Sequence, residues 1–238
     1  PLCSPSRCVI QTGLMPHRNG GHKFGTPIAG YIRTMPEYFQ ALGYYTASIG
    51  KFHHAPHERF PYDHVDIYWK KKEGESFLPV ADHSGPVIRF LSNYDQDKPL
   101  FLVVNTHPPH TPWLKNTTYD PADIQLPKTF VDTPETRRDR ADYYSDVTLM
   151  DTILGDVLDA VDEKEMTKNT LFICTSDQGA NWPFAKWCVY DGGLRVPFIV
   201  RWPGKVAPGS VTDAMINLAD ILPTCIEAGH GDPPEGLD

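Results

Sequence analysis

Pro99-Leu100-Phe101-Leu102-Val103-Val104, followed at once by Asn105-Thr106-His107, is a short apolar run that ends in polar side chains. A strand with one wet face alternates apolar and polar residues. An unbroken run of this length fits a strand covered on both faces. Comparable runs stand at 44–49, 171–175 and 196–200. The first leads into Gly50-Lys51-Phe52-His53, the second into Ser176-Asp177-Gln178-Gly179, and the last follows Gly192-Gly193. Helical patterns fill the intervals. One covers 35–42 before Gly43, and another covers 84–91 with Ser84 as its cap. A long one, 135–161, carries Tyr144, Val147, Met150, Ile153, Leu154, Val157, Leu158 and Val161 on one face. A fourth, 218–228, is expected to be interrupted at Pro223 and ended by Gly229. Strands alternating with helices predict an α/β fold, a mostly parallel sheet sandwiched by helices.

The composition narrows the function classes. The chain has 238 residues with 22 Lys+Arg against 30 Asp+Glu, a formal net charge of −8. That balance argues against general binding to nucleic acid or to an anionic membrane. An anionic substrate has to be met by a local cluster of bases. No apolar run reaches membrane-spanning length. The five cysteines cannot all pair and show neither a disulfide framework nor a thiolate zinc pattern. Asn116-Thr117-Thr118 fits a glycosylation acceptor. The stretches 54–74 and 107–134 are rich in Pro, charge and aromatic residues and read as long loops, which are often functional.

In an open α/β sheet, ligands bind beyond the carboxyl ends of the strands, where the chemically capable residues of this chain gather. Lys51 offers a mobile point charge for an anionic oxygen, and His53 can donate to or accept from a hydroxyl. Prolines stiffen His107-Pro108-Pro109-His110-Thr111-Pro112 and fix where its imidazoles point. Asp177 and Gln178 supply the oxygens that suit a hard cation. At the other end of the chain, Cys3-Ser4-Pro5-Ser6-Arg7 reads as a cysteine at a helix mouth, with Ser4 as the expected cap and Pro5 in the first turn. Cys3 then lies beside unpaired backbone N–H groups, and Arg7 stands one turn on along the same face.

The pattern Cys3, Pro5, Ser6, Arg7, Thr12, Gly13 resembles the type I sulfatases. Gly50-Lys51-Phe52-His53 and the block Lys186, Tyr190, Asp191, Gly192, Gly193, Arg195, Pro197 are similar to further motifs of that family. The resemblance implies an alkaline-phosphatase-like sulfatase fold, with residues 1–238 as a partial catalytic domain truncated at both ends. The N-terminal metal-binding strand and the C-terminal subdomain would then lie outside it. It implies that Cys3 is oxidised to formylglycine (3-oxoalanine) by a formylglycine-generating or maturase enzyme. Lys51 and Lys186 would hold the sulfate oxygens, and Arg7 and a calcium ion would favour the ionised aldehyde hydrate. His53 would contact that hydrate. His107 is the better match to the general acid of the family, with His110 second. Asp177 and Gln178 would bind Ca2+, Gln178 being one methylene longer than the usual Asn. Arg195 is expected to brace its loop.

The substrate expected from the resemblance is a sulfated carbohydrate or small sulfate ester. Tyr119-Asp120-Pro121, Phe130 to Pro134, and Arg137-Arg138-Asp139 are similar to the sulfamidase-like branch, which includes N-sulfoglucosamine sulfohydrolases. O-sulfate and N-sulfate both stay open. Two other classes remain: a phosphonate monoester or phosphodiester hydrolase of the same superfamily, and a non-catalytic binding protein that keeps the fold. The expected location of a full-length sulfatase is secreted, periplasmic or lysosomal.

Overall fold

A computed structural model describes residues 1–67, 83–115 and 118–238. The chain opens directly into helix α1 (Cys3–Thr12), so Cys3 is the first helical residue and not the one before it. Ser4 does not cap it. The N-cap position belongs to Leu2, extended at φ −153° and ψ 139°. Ser6 takes over: its Oγ accepts from the Leu2 N–H at 3.4 Å, and its own N–H bonds the Leu2 carbonyl at 2.9 Å. Pro5 falls in the first turn as expected, where its missing N–H leaves no bond unmade. Gly13 closes the helix in the left-handed region at φ 64°, its N–H bonded to the Val9 carbonyl at 2.8 Å.

Next come the single turn α2 (Pro16–Asn19) and α3 (Met35–Ala41). Thr34 and Glu37 close a capping box at the start of α3, with Glu37 Oε2 accepting from the Thr34 N–H at 2.7 Å. Three parallel strands follow: β1 (Tyr45–Gly50), β2 (His64–Asp66) and β3 (Leu100–Asn105), in the order β2-β1-β3. The β1–β3 register sets Ile49 opposite Val104 and Gly50 opposite Asn105. Strand β2 and a 3-10 turn (His57–Arg59) lie inside the stretch expected to be loop.

Helices α4 (Gly85–Ser92) and α5 (Pro134–Glu163) cover this sheet. α5 has 30 residues and so runs about 45 Å. Thr133 caps it by accepting from the Thr136 N–H at 3.1 Å. Its far end delivers Val157, Ala160 and Val161 to a buried cluster with Ile49, Val87 and Leu91. Earlier members of the same apolar stripe, Val147, Met150 and Leu154, line a cavity instead.

The remaining elements are β4 (Phe172–Thr175), α6 (Asp191–Leu194), β5 (Phe198–Arg201) and α7 (Ile221–Ala228). β5 pairs antiparallel with β4 in a separate two-stranded sheet, so the parallel arrangement holds for the first sheet only. Among the described residues β3 and β4 each pair along one edge, and both line a cavity of about 1330 Å3. That opening explains why β3, read as covered on both faces, is half-buried along its whole length. Pro223 does not interrupt the last helix. A 3-10 turn (Leu218–Asp220) precedes α7, and Pro223 sits in its first turn, where the helix needs no N–H from it. α7 packs on α3 through Met35, Phe39, Ile221, Leu222 and Ile226. The acceptor triplet begins at Asn116-Thr117, outside the described residues. Among the described residues, no helix is long and apolar enough to cross a membrane.

Candidate active site

The head of α1 is the point on which the site converges. Cys3 is 1% exposed, and its Sγ lies 3.7 Å from Lys51 Nζ and 3.3 Å from Gln178 Nε2. Lys51 follows β1 and Gln178 follows β4, so the ends of two sheets meet at one sulfur. Burial acts to raise the Cys3 thiol. Hydrogen bonds from His110 and His53 and the charge of Lys51 outweigh it, and the net value falls to about 4. Lys51 is buried, which lowers its own pKa, while the negative Cys3 opposes that shift. The sulfur therefore reports a pocket built for negative charge.

Arg7 ties the pocket together from one turn along α1. Its Nε donates to Asp177 Oδ2 at 2.8 Å, and its Nη1 donates to Asn105 Oδ1 at 2.5 Å and to the Lys51 carbonyl at 3.2 Å. One guanidinium thus joins α1 to the ends of β1, β3 and β4, using the fixed fork that lysine lacks. Burial acts to raise the Asp177 carboxyl, but Arg7 and Lys51 hold it below the usual carboxylate range. Asn105 is a site residue that the sequence reading did not single out. It also donates to Ser48 Oγ at 3.3 Å, which fixes its amide.

The second lysine arrives on a tightly folded segment. The Gly179 N–H bonds the Gly193 carbonyl at 3.1 Å. A Cβ on Gly193 would stand 2.2 Å from the Cys188 carbonyl oxygen and 2.4 Å from that of Ala185. Only glycine lets these backbones approach so closely. Phe184 (φ 60°) and Trp187 (φ 75°) bracket Lys186 in the left-handed region. Lys186 Nζ reaches His110 Nε2 at 3.1 Å. His110 Nδ1 donates to the Thr111 carbonyl at 2.6 Å, so Nε2 is the nitrogen that faces the lysine. The His107 ring sits 5.2 Å behind, centroid to centroid. Burial, with His110 and Lys51 nearby, pushes His107 down to about 4.

The predicted residues Cys3, Arg7, Lys51, His53, Asp177, Gln178 and Lys186 all gather here, and His107 lies one ring behind His110. His54 does not join them. It is 4% exposed, packs between Phe52 and Phe60, and bonds the Phe52 carbonyl through Nδ1 at 2.6 Å. His57 packs on Phe52. The exposed Arg195 pairs only loosely with Asp191, at 3.9 Å.

For a cation, the chain offers a partial donor set. Gln178 Oε1 is buried and lacks a hydrogen-bond partner, and Asp177 keeps Oδ1 outside its contact with Arg7. Carboxylate and amide oxygens from two consecutive residues are the donor type that suits a hard cation. Among the described residues, no group of three or more His, Cys, Asp and Glu side chains completes the set.

A match to the sulfatase family, described as Sulfatase, spans residues 1–231. The chain belongs to the sulfatase family. An ulvan-active sulfatase from Formosa agariphila is 30% identical over 250 residues, covering 100% of this chain and 46% of that protein. Human N-sulphoglucosamine sulphohydrolase is 29% identical over 260 residues, covering 94% of the chain and 51% of that protein. The chain thus spans about half the length of the curated relatives it matches. Among solved structures, a protein in complex with its substrate D-glucosamine-2-N,6-O-disulfate has a TM-score of 0.79 at 19% identity, over 99% of this chain and 68% of that one. A phosphonate monoester hydrolase from Silicibacter pomeroyi has a TM-score of 0.76 at 21% identity, over 100% of this chain and 66% of that one. At such identities these two likenesses show the fold alone, which is the alkaline-phosphatase-like sulfatase fold expected from the sequence.

Proposed function

We propose that the whole protein is a sulfatase that hydrolyses a sulfate ester or N-sulfate on a sulfated saccharide, through a formylglycine made from Cys3 by a maturing enzyme. The observation that carries this reading is the meeting of Lys51, His110, Gln178 and, through His110, Lys186 around the buried Cys3 side chain. A tetrahedral sulfuryl group bearing negative charge is the ligand such a pocket neutralises. Names of relatives support the saccharide class: ulvan for one and sulphoglucosamine for another. Sulfated glycans of this kind suit a secreted, periplasmic or lysosomal protein.

The residues of this chain divide the work. Lys51 and Lys186 neutralise the sulfuryl oxygens, and fixed charges in a dry site act more strongly than in water. Arg7 holds Asp177 and Asn105 and so sets the frame in which Cys3 is presented. His53 bonds the group at position 3. The formylglycine would supply a hydrated aldehyde, with one hydroxyl to attack sulfur and a second to release sulfate. Asp177 and Gln178 would hold Ca2+, which favours the ionised form of that hydrate. We assign proton delivery to the leaving atom to His110, with Lys186 sharing its proton across 3.1 Å. The place of His107 one ring behind His110, with its pKa lowered to about 4 by burial and by His110 and Lys51, supports that choice.

The test uses the full-length protein. Peptide mass spectrometry of active enzyme should find Cys3 converted, and Cys3→Ala should abolish hydrolysis of aryl sulfate. An intact thiol in fully active enzyme would remove the formylglycine step. Faster turnover of an aryl phosphonate or phosphodiester than of aryl sulfate would move the protein to the phosphoryl branch of the superfamily.

A further inference from the structure

Beside the anion pocket stands a pair of exposed aromatic rings that the proposed chemistry does not use. Phe24 lies 5.3 Å from the His53 ring, centroid to centroid, and Trp187 lies 5.8 Å from Phe24. His53 bonds Cys3, and Trp187 follows Lys186 in the chain. The pair is therefore joined to Cys3 through His53, which carries Phe24 on its ring and Trp187 beyond it. Cys3 is 1% exposed, whereas Phe24 is 42% and Trp187 64% exposed. Apolar rings of this size left to solvent at the rim of a site cost free energy unless something covers them.

The backbone holds Trp187 out. Its φ of 75° is one that a bulky residue seldom adopts, and its N–H is tied to the Pro1 carbonyl at 3.0 Å, just before Cys3. The edge-on packing against Phe24, at 68°, braces the indole beside the mouth.

We infer that Phe24 and Trp187 form a saccharide subsite: the pyranose that carries the reacting sulfate lays its C–H face on these rings while its sulfate enters the Lys51–Lys186 pocket. The inference rests on the sulfatase reading and sharpens it. A sulfate buried at Cys3 must leave its sugar at the rim. A pyranose is amphipathic in the way this rim demands, with hydroxyls around its edge and an apolar face of axial hydrogens. The subsite selects the ring and not the anion, so inorganic sulfate gains nothing from it.

The experiment is calorimetric binding to the full-length protein carrying Cys3→Ala, with two probes: D-glucosamine-2-N,6-O-disulfate and inorganic sulfate. The sugar should bind more tightly than sulfate. Trp187→Ala and Phe24→Ala should each weaken the sugar roughly tenfold, about 1.4 kcal/mol, and leave the sulfate affinity unchanged. Trp187→Phe, which keeps a ring, should restore most of the loss. The inference is overturned if sugar and sulfate bind alike, or if both alanine variants bind the sugar as the background protein does. Failure of the sulfatase reading looks different, because inorganic sulfate itself would then not bind.

Discussion

Lys186 Nζ and His110 Nε2 meet at 3.1 Å although 76 positions separate them in the chain. The contact joins the Pro-rich loop after β3 to the glycine-folded segment after β4. It supports the proposal that His110, and not His107 three residues before it, serves as the general acid. The expected outcome is a split in leaving-group sensitivity. His110→Asn should lower kcat about 100-fold or more on a sugar sulfate and much less on a nitrophenyl sulfate, whose oxygen leaves without a proton. His107→Asn should show no such split. Steady-state rates over a series of leaving groups check both.

The unconverted chain should carry a thiolate at Cys3 down to about pH 4. Lys51→Met removes the cation 3.7 Å from the sulfur and should raise that value. Thiolate absorbance followed during an acid titration reads it directly, in protein expressed without the maturing enzyme.

Stability should fall on acidification before the carboxylates titrate. Burial holds His54 well below the usual histidine range and pushes His107 down to about 4. Both are neutral in the fold, whereas the unfolded chain protonates them near pH 6.5. Unfolding therefore takes up protons between roughly pH 6.5 and 4, and stability drops as pH falls through that window. His107→Gln should flatten the slope, as measured by urea unfolding at stepped pH.

Arg7→Met should destabilise by about 3 kcal/mol, because it leaves Asp177 buried without its partner. Adding Asp177→Asn should recover part of that loss. A double-mutant cycle on the denaturation midpoint gives the coupling.

Gly193→Ala should misplace Lys186 without unfolding the α1–β1–β3 half. The new methyl meets two carbonyl oxygens closer than 2.5 Å, and the local backbone must open. Weakened sulfate binding with nearly native far-ultraviolet circular dichroism is the expected pair of results.

Much of the fold and the site is legible in the sequence. Apolar runs that end in Lys51 and Asp177 placed both residues at sheet ends, and the stripe of α5 fixed a long helix. Strand direction was not legible: 198–201 is as apolar as the parallel strands, and only its partner reveals that it runs against β4. Asn105 reads as an ordinary strand-ending turn residue until Arg7, 98 positions away, is seen to hold it. Ser4 was the natural cap by type, but the helix began early enough for Ser6 to bond back to Leu2. His54 and His53 are adjacent in sequence yet face opposite ways, one into Phe52 and Phe60 and the other towards Cys3. Strand direction and the role of Asn105 turn on partners remote in sequence, which a local pattern does not contain, whereas the cap turns on where the helix begins.

Among the described residues, β3 and β4 each pair along one edge, and both line the same cavity. A strand edge with no partner among the described residues, beside apolar cavity walls, is a template for an extended peptide. At high concentration, pairing between copies of the chain through these edges is the expected result, seen as a larger species by light scattering.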